Sequence, residues 1–406
     1  MPRSVPVHVH VKTESCCVEG FRFAGVSAGL KQAAGAKDLG LIVAERPVAA
    51  VGAFTTNLVK AAPVRLAAER LKRGRIQAVM VNSGSANCFT GKAGDHLAVE
   101  SCAALAREIG CAAEMVVPCS TGVIGHLYSL ERLRAGLKTA ARELRPEGVD
   151  DFARAIMTTD TRPKTAWARV ALNGRPVTVL GIAKGAGMIA PNMATMLAFI
   201  VTNARATPRL LRAVLGRALA HSLNAITIDG DMSTNDSVLL LASGAAANRE
   251  PVGGALARFE AAVSAVAQSL ARQIVYDGEG ATKLAAVEVS GARSEKDAEA
   301  VARHVANSPL VKTALFGRDP NVGRILAAAG ASGVRFDPDR IELRVGSVKI
   351  AARGRVIVGA LEKARSVMNQ REFALTLNLR LGRAGASILT SDLSFDYVKI
   401  NAEYTS

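Results

Sequence analysis

The distribution of apolar positions divides the chain into short apolar runs and longer periodic segments, and the two kinds alternate. Short runs bounded by glycine, asparagine or charged residues are typical of strands that are buried on both faces. Such runs occur at residues 41–44, 76–81, 115–117, 177–182, 196–201 and 238–241. The pattern therefore predicts a sheet whose strands are separated by helices or long connections.

Segments with apolar residues three and four positions apart predict amphipathic helices. The clearest covers residues 208–222, where Thr207 can cap the helix and Pro208 suits its first turn. Its apolar stripe consists of Leu210, Leu211, Val214, Leu215, Ala218 and Leu219. Three further helices are predicted at residues 255–275, at 294–307 with Ser294 and Asp297 as a capping pair, and at 319–330, opened by Asp319 and Pro320.

The texture changes after Gly330, where short alternating strands are predicted at residues 341–345, 348–351, 356–358 and 373–379. This change indicates a smaller, strand-rich C-terminal region that covers roughly residues 286–406. The sequence contains no Pro/Gly/Ser-rich linker, no repeat of 20 to 50 residues and no low-complexity segment. The predicted fold class is therefore α/β or α+β, with layered helices and sheets.

Composition and charge limit the function classes. The chain has 406 residues, 49% hydrophobic and 21% charged, which excludes a disordered or collagenous protein. The apolar run at 196–201 is far shorter than the ~20 residues of a membrane-spanning helix, so no such span is expected. A net charge of +16 favours anionic ligands. The basic residues are scattered and aromatic residues make up only 4%, so we expect no nucleic-acid partner.

All six cysteines lie within the first 119 residues, and none forms a C-x-x-C pair or has zinc-site spacing. The N-terminal MPRSVPVHVH has no apolar segment of the kind found in secretory signals. Free thiols in a reducing cytoplasm are the simplest interpretation. Cys88 follows a glycine turn and is the one cysteine that we consider as a nucleophile, although no histidine lies near it in sequence.

The stretch GIAKGAGMIAPNMATMLAFIV, residues 181–201, carries the strongest chemical signal. Its glycines fit a dinucleotide-binding turn, but Pro191 interrupts the helix that such a site needs. One interpretation is a structural glycine turn. In the other, Thr195 is a nucleophile: if the preceding peptide bond were cut, the freed α-amino group could take the proton of its hydroxyl.

These residues resemble a known family. KGAGMIAPNMATML closely resembles the processing site of the ornithine acetyltransferase family, also called the bifunctional glutamate N-acetyltransferases of arginine biosynthesis. Further motifs of that family follow in its order: VNSGSANCFTG, CSTGVIG, DGDMSTNDS, DGEGATK, GRDPNVGRI and the terminal NAEYTS. The resemblance covers nearly the whole chain.

The resemblance implies an α/β/β/α sandwich that cuts itself between Ala194 and Thr195. The products would be an alpha chain, residues 1–194, and a beta chain, residues 195–406, assembled as two pairs. The mature Thr195 would accept an acetyl group from N-acetylornithine and pass it to glutamate by ping-pong chemistry. No cofactor is implied, and acetyl-CoA remains an alternative acetyl donor.

The resemblance also implies the roles of individual residues. Thr121 and Gly122 would stabilise the oxyanion, through the threonine hydroxyl and the glycine N–H. The implied substrate contacts, besides Thr195, are Thr158, Lys184, Glu279, Asn401 and Ser406. The chain departs from the family at Ser406, where the family commonly has threonine, and at Ser85, where it usually has asparagine.

Three other interpretations of the sequence need to be weighed. The stretch DGDMSTNDS resembles a calcium loop, but Thr234 and Leu240 replace its glycine and glutamate, so we expect no metal site. An aminopeptidase-like or amidase hydrolase on a related self-processing scaffold would also cut itself, although the serine nucleophile of such enzymes argues against it. A non-enzymatic basic binding protein would stay uncut.

Overall fold

A computed structural model describes residues 9–190 and 196–403. Its strands are β1 (Val11–Lys12), β2 (Phe21–Val26), β3 (Leu39–Phe54), β4 (Arg75–Ser85), β5 (Val116–Val123), β6 (Lys164–Leu172), β7 (Arg175–Lys184), β8 (Leu197–Thr202), β9 (Ile226–Thr227), β10 (Ser237–Ala242), β11 (Leu284–Ala292), β12 (Glu342–Val345), β13 (Val348–Ala352), β14 (Arg355–Val356), β15 (Glu372–Asn378) and β16 (Ala384–Ser391). Its helices are α1 (Ala62–Arg70), α2 (Gly91–Ile109), α3 (Leu130–Arg142), α4 (Val149–Ala155), α5 (Pro208–Ala220), α6 (Gly253–Tyr276), α7 (Glu295–Asn307), α8 (Pro309–Phe316), α9 (Val322–Gly330), α10 (Leu361–Met368) and α11 (Phe395–Glu403).

The first sheet has the strand order β1-β6-β7-β8-β10-β3-β4-β5, with β2 paired to β3. Strand β8 is central: it runs antiparallel to β7 and parallel to β10. Strand β3 is long enough to pair with β10 along its second half and with β2 along its first half. Its register with β4 shifts between Val43 and Val48, which separates the two halves.

Three apolar clusters organise this sheet into layers. Helices α5 and α6 cover one face of β6, β7, β8 and β10, while α2 and α3 cover one face of β2 to β5. The remaining faces of both groups of strands share a single inner cluster with α4. Within it, the ring of Phe152 contacts Phe23 of β2 and Phe199 of β8. This arrangement agrees with the predicted α/β/β/α layering.

The second sheet has the order β14-β13-β12-β15-β11-β16-β9. Its core is a separate apolar cluster built with α7, α8, α9 and α10. Strand β9 belongs to this sheet although it precedes β10 in the chain, and it pairs with β16. The short connection from β9 to β10 therefore links the two sheets.

The helices predicted from periodicity form with small differences in length. Thr207 and Ser294 cap α5 and α7, accepting hydrogen bonds from Leu210 N and Asp297 N. The predicted start at Asp319 is wrong, because Asn321 caps α9 and the helix begins at Val322. The first two predicted helices also differ at their ends, since α5 stops at Ala220 and α6 extends over Gly253–Tyr276.

Two predicted strands include residues of 3₁₀ turns. Met115 belongs to the 3₁₀ turn Ala113–Met115, so β5 begins only at Val116. Strand β14 ends at Val356, after which Val358–Ala360 forms another 3₁₀ turn that leads into α10. In the part of the chain that the structure describes, no helix combines the length and apolarity needed to cross a bilayer.

Candidate active site

A cavity of about 330 Å³ lies where the ends of β5 and β7 meet the loops that follow α4, precede β10 and follow α6. It brings together six side chains or backbones that the sequence singles out: Thr121, Gly122, Thr158, Lys184, Glu279 and Asn401. Apart from the adjacent Thr121 and Gly122, these residues are far apart in sequence. The other predicted site residues, Ala194, Thr195 and Ser406, lie outside the described residues.

Thr121 and Gly122 form one wall of this cavity, at the end of β5. The Thr121 side chain is largely buried, with the residue 6% exposed. Gly122 has φ +126°, a conformation that residues with a side chain rarely adopt. A Cβ at this position would overlap the backbone of Gly84 on neighbouring β4. The close approach of these two glycines therefore fixes how the backbone turns at the cavity wall.

Lys184 ends β7 and presents a buried ammonium group at the base of the cavity. Its Nζ donates hydrogen bonds to Thr158 Oγ1 at 2.6 Å and to Thr121 Oγ1 at 3.2 Å. Burial lowers the pKa of Lys184, while the Asp160 carboxylate, 3.9 Å from Nζ, acts in the opposite direction. Because Thr121 Oγ1 accepts from the lysine, its own hydrogen is available to donate into the cavity.

A buried ion network lies directly behind Lys184. Lys164 is 0% exposed, and its Nζ lies 2.7 Å from Asp160 and 2.6 Å from Asp277. Burial alone would raise the pKa of Asp160, but the two lysine ammonium groups hold it well below its usual range. The Asp160 carboxylate also accepts from the backbone N–H groups of Gly185 and Thr158. The network thereby fixes the backbone on both sides of the cavity.

The opposite wall carries the acidic group. Glu279 accepts a hydrogen bond from Asn401 Nδ2 at 2.9 Å, which connects helix α11 to the cavity. The Glu279 backbone N–H in turn donates to Ala186 O. A Cβ at Gly187 would lie 2.5 Å from the Glu279 carboxyl carbon, so this glycine leaves the space that the carboxylate occupies.

Two aspartates that the sequence analysis did not select lie on either side of residues 191–195. Asp229 accepts from the backbone N–H groups of Met188 and Ile189, and Asp236 accepts from Met196 N at 2.8 Å. Both belong to the stretch DGDMSTNDS, which the sequence analysis considered as a family motif and as a calcium loop, without assigning either aspartate a role. Their carboxylates bind backbone N–H groups, so these two aspartates hold the described residues that flank positions 191–195.

The loop between these aspartates is fixed to the first sheet. Asn235 Nδ2 donates to Ala86 O and to Ser120 O, both at the end of the β4–β5 pair. Ser233, Thr234 and Asn235 also line the cavity. Among residues 9–190 and 196–403, no group of three or more His, Cys, Asp or Glu side chains is placed to hold a metal ion.

Known proteins resemble this chain over nearly its whole length. The chain is 50% identical over 392 residues to the arginine biosynthesis bifunctional protein ArgJ of Geobacter sulfurreducens, covering 95% of this chain and 99% of that relative. The ArgJ protein of Symbiobacterium thermophilum is 46% identical over 388 residues, covering 95% and 96%. A crystal structure of ArgJ from Bacillus halodurans is 36% identical, covers 51% of this chain and 98% of that chain, and has a TM-score of 0.49.

A sequence model of the ArgJ family matches residues 22–406, nearly the whole chain. The resemblance found in the motifs is thus confirmed, and the chain belongs to the ArgJ family.

Proposed function

We propose that this protein transfers an acetyl group from N2-acetylornithine to glutamate through an acetyl ester on Thr195. Membership of the ArgJ family supports acyl transfer in arginine biosynthesis better than any other activity. The products are ornithine and N-acetylglutamate. Acetyl-CoA would serve as a second donor in a bifunctional enzyme. The observation that carries the proposal is the convergence of Thr121, Gly122, Thr158, Lys184, Glu279 and Asn401 on one cavity.

The charges of the cavity match the substrate. Lys184 offers a buried cation for the α-carboxylate of N-acetylornithine, and Thr158 lies beside it. Glu279, held by Asn401, offers a carboxylate for the ammonium group of the ornithine side chain. A substrate bound between these groups would have its acetyl carbonyl near the wall formed by Thr121 and Gly122. Ser406 is proposed as a further substrate contact.

The transfer proceeds in two half-reactions. The Thr195 hydroxyl attacks the acetyl carbonyl while the free α-amino group of the same residue takes its proton. The negative oxygen that develops is stabilised by the Thr121 hydroxyl and the Gly122 N–H. Ornithine leaves as the amine after accepting the proton, and the amino group of glutamate then attacks the acetyl ester by the same steps in reverse.

The α-amino group of Thr195 exists only after the chain has been cut. We therefore include self-cleavage between Ala194 and Thr195 in the proposal, giving chains 1–194 and 195–406. Two such pairs would assemble into a heterotetramer in the cytoplasm, with no cofactor. A hydrolase on the same scaffold would begin identically but would pass the acyl group to water.

An assay with two donors tests this function. The purified protein should run as two fragments, each about half of 42.3 kDa, and the second should begin Thr-Met-Leu-Ala-Phe. It should form N-acetylglutamate from N-acetylornithine and glutamate, and the same assay with acetyl-CoA decides whether it is bifunctional. Thr195→Ala should be uncut and inactive. Acetate release that does not depend on glutamate would instead identify a hydrolase, and an active, uncut wild-type chain would contradict the role of Thr195.

A further inference from the structure

Asp236 is a buried carboxyl group with one oxygen unused. The residue immediately precedes β10 and is 1% exposed. Its Oδ1 accepts the hydrogen bond from Met196 N at 2.8 Å. Its Oδ2 is fully buried and has no hydrogen-bond partner among the described residues. A buried carboxyl oxygen without a partner is costly, so its retention calls for a function.

Chain connectivity links this carboxyl group to the proposed nucleophile. Met196 N is bonded directly to the carbonyl carbon of Thr195, and the Thr195 backbone nitrogen lies two further bonds away. The bonds along this path are each about 1.3 to 1.5 Å long, so a group that holds Met196 N lies within a few ångströms of the Thr195 main chain. Asp236 therefore binds the first described residue after the proposed cut, which is joined to Thr195 by a peptide bond.

Self-cleavage needs a proton acceptor that the mature enzyme does not need. In the uncut chain, the nitrogen of Thr195 belongs to the peptide bond and cannot act as a base. Lys184 is a buried cation that acts on Asp236, but its Nζ donates to the hydroxyls of Thr121 and Thr158. As an ammonium group beside Asp160 it offers no lone pair. Asp236 has an oxygen free to accept.

We propose that Asp236 carries the proton during self-cleavage, accepting it from the Thr195 hydroxyl and returning it to the Thr195 nitrogen. The inference rests on the cleavage included in the proposed function. The hydroxyl oxygen bonds to the Ala194 carbonyl carbon as its proton passes to Oδ2. The bond from that carbon to the Thr195 nitrogen then breaks, and the nitrogen takes the proton, leaving an ester and a free amine. Water hydrolyses the ester, giving the Ala194 carboxyl group and the restored hydroxyl.

The electrostatics of the site suit this role. Burial raises the pKa of Asp236 well above its usual range, and the Met196 N–H and the Lys184 ammonium oppose that effect without cancelling it. A carboxyl group with a raised pKa is a stronger base when ionised, and it returns the proton readily once the amide nitrogen has become basic. Lys184 is the charged group among the described residues that acts on it.

The rate of self-cleavage in newly synthesised protein tests the proposal. It is measured on denaturing gels, starting at the end of a short pulse of cell-free translation. Asp236→Asn retains an oxygen for Met196 N but cannot accept a proton, so cleavage should slow by at least about a hundredfold. Asp231→Asn makes the same change at an exposed position of the same loop and should cleave like wild type. Thr195→Ala supplies the uncut reference.

The pH dependence separates proton transfer from mere positioning. Wild-type cleavage should accelerate as pH rises through the pKa of Asp236, because the ionised form is the acceptor. The residual cleavage of Asp236→Asn should lack this rise. Asp236→Glu keeps a carboxyl group, so its cleavage should still accelerate with pH, although at a reduced rate. If Asp236→Asn melts at a lower temperature than the Thr195→Ala precursor and is therefore misfolded, the glutamate variant still tests the proposal.

Each outcome bears on one of the two proposals. Cleavage of Asp236→Asn at the wild-type rate would overturn the role of Asp236. So would an uncut but folded Asp236→Glu, or a rise of cleavage with pH that persists in Asp236→Asn. A wild-type chain that never cuts itself would instead overturn the proposed function, from which this inference starts.

Discussion

Thr121 links the buried cation to the proposed oxyanion site within one side chain. Its oxygen accepts from Lys184 at 3.2 Å, which directs its hydrogen away from the lysine. Thr121→Ala should therefore lower kcat by the order of 10²–10³ with little change in the KM for N-acetylornithine, because the lost donor acts on the transition state. Steady-state kinetics measure both constants. Thr121→Ser keeps the hydroxyl and should stay within a small factor of wild type, whereas a raised KM at unchanged kcat would make Thr121 a binding residue.

Two glycines that follow each other closely in sequence allow backbone strain to be separated from crowding. Gly122 and Gly125 both have positive φ, +126° and +85°. A Cβ at Gly125 would meet nothing within 4 Å, whereas one at Gly122 would overlap Gly84. Gly125→Ala should cost the strain alone, about 1 to 2 kcal/mol, and Gly122→Ala clearly more. Thermal unfolding of both variants checks this, and equal losses would contradict the close approach.

At the scale of elements, the ion network of Lys164, Asp160 and Asp277 ties the start of β6 to the end of α6. Lys164→Met would leave two buried carboxylates without their shared cation, at a cost of about 3–5 kcal/mol in the free energy of unfolding. Urea denaturation measures it. Arg134→Met breaks the exposed pair with Glu100 and should cost less than about 1 kcal/mol. A similar small loss in both variants would show that the buried network is not required for stability.

Helices and strands that have a capping residue or a regular apolar pattern could be predicted from the sequence, and those that lack both could not. Thr207 and Ser294 mark the starts of α5 and α7 because the capping hydroxyl and the apolar stripe are both visible in sequence. Helix α2 has no capping side chain, and it was not predicted. Strand β3 was predicted only at residues 41–44, because its second half contains Pro47 and a register shift that break the pattern.

The cavity residues were found because their motifs resemble a family, not because their spacing indicates a pocket. Lys164 and Asp277 are 113 positions apart, so no local pattern could pair them. Asp236 lies in DGDMSTNDS, but neither the resemblance of that stretch to a family motif nor its comparison with a calcium loop assigned Asp236 a role. What a carboxylate contacts depends on the strand pairing that brings Met196 to it, and sequence spacing does not contain that information.

At the scale of the whole molecule, a buried lysine lies between the second sheet and the loop from β9 to β10. Lys312 Nζ donates to Thr390 Oγ1 and Ser391 O on β16, and Asp229 and Asp392 face it. Burial lowers the pKa of Lys312 to about 7, against 10.5 for an unperturbed lysine. Between these values the unfolded chain binds the extra proton, so stability should rise with pH, by at most about 1.4 kcal/mol per pH unit.

Urea denaturation at pH 7 and pH 9 measures this contribution. The wild-type protein should gain more stability over this interval than Lys312→Met, which has no ammonium group to bury. Lys138→Met serves as the control, since that lysine is exposed on α3. An equal gain in wild type and Lys312→Met would place the titration elsewhere.

The central position of β8 has a consequence for the enzyme after it has been cut. The strand begins two residues after the proposed cut and is paired on one side with β7 of the first product and on the other with β10 of the second. Its inner face shares one apolar cluster with strands from both products. The two chains would therefore remain one folded unit with a single break in its backbone. Their ratio is fixed at one to one, and no separate association step is needed. Dilution should not separate them, and neither chain should be recoverable in native form without the other.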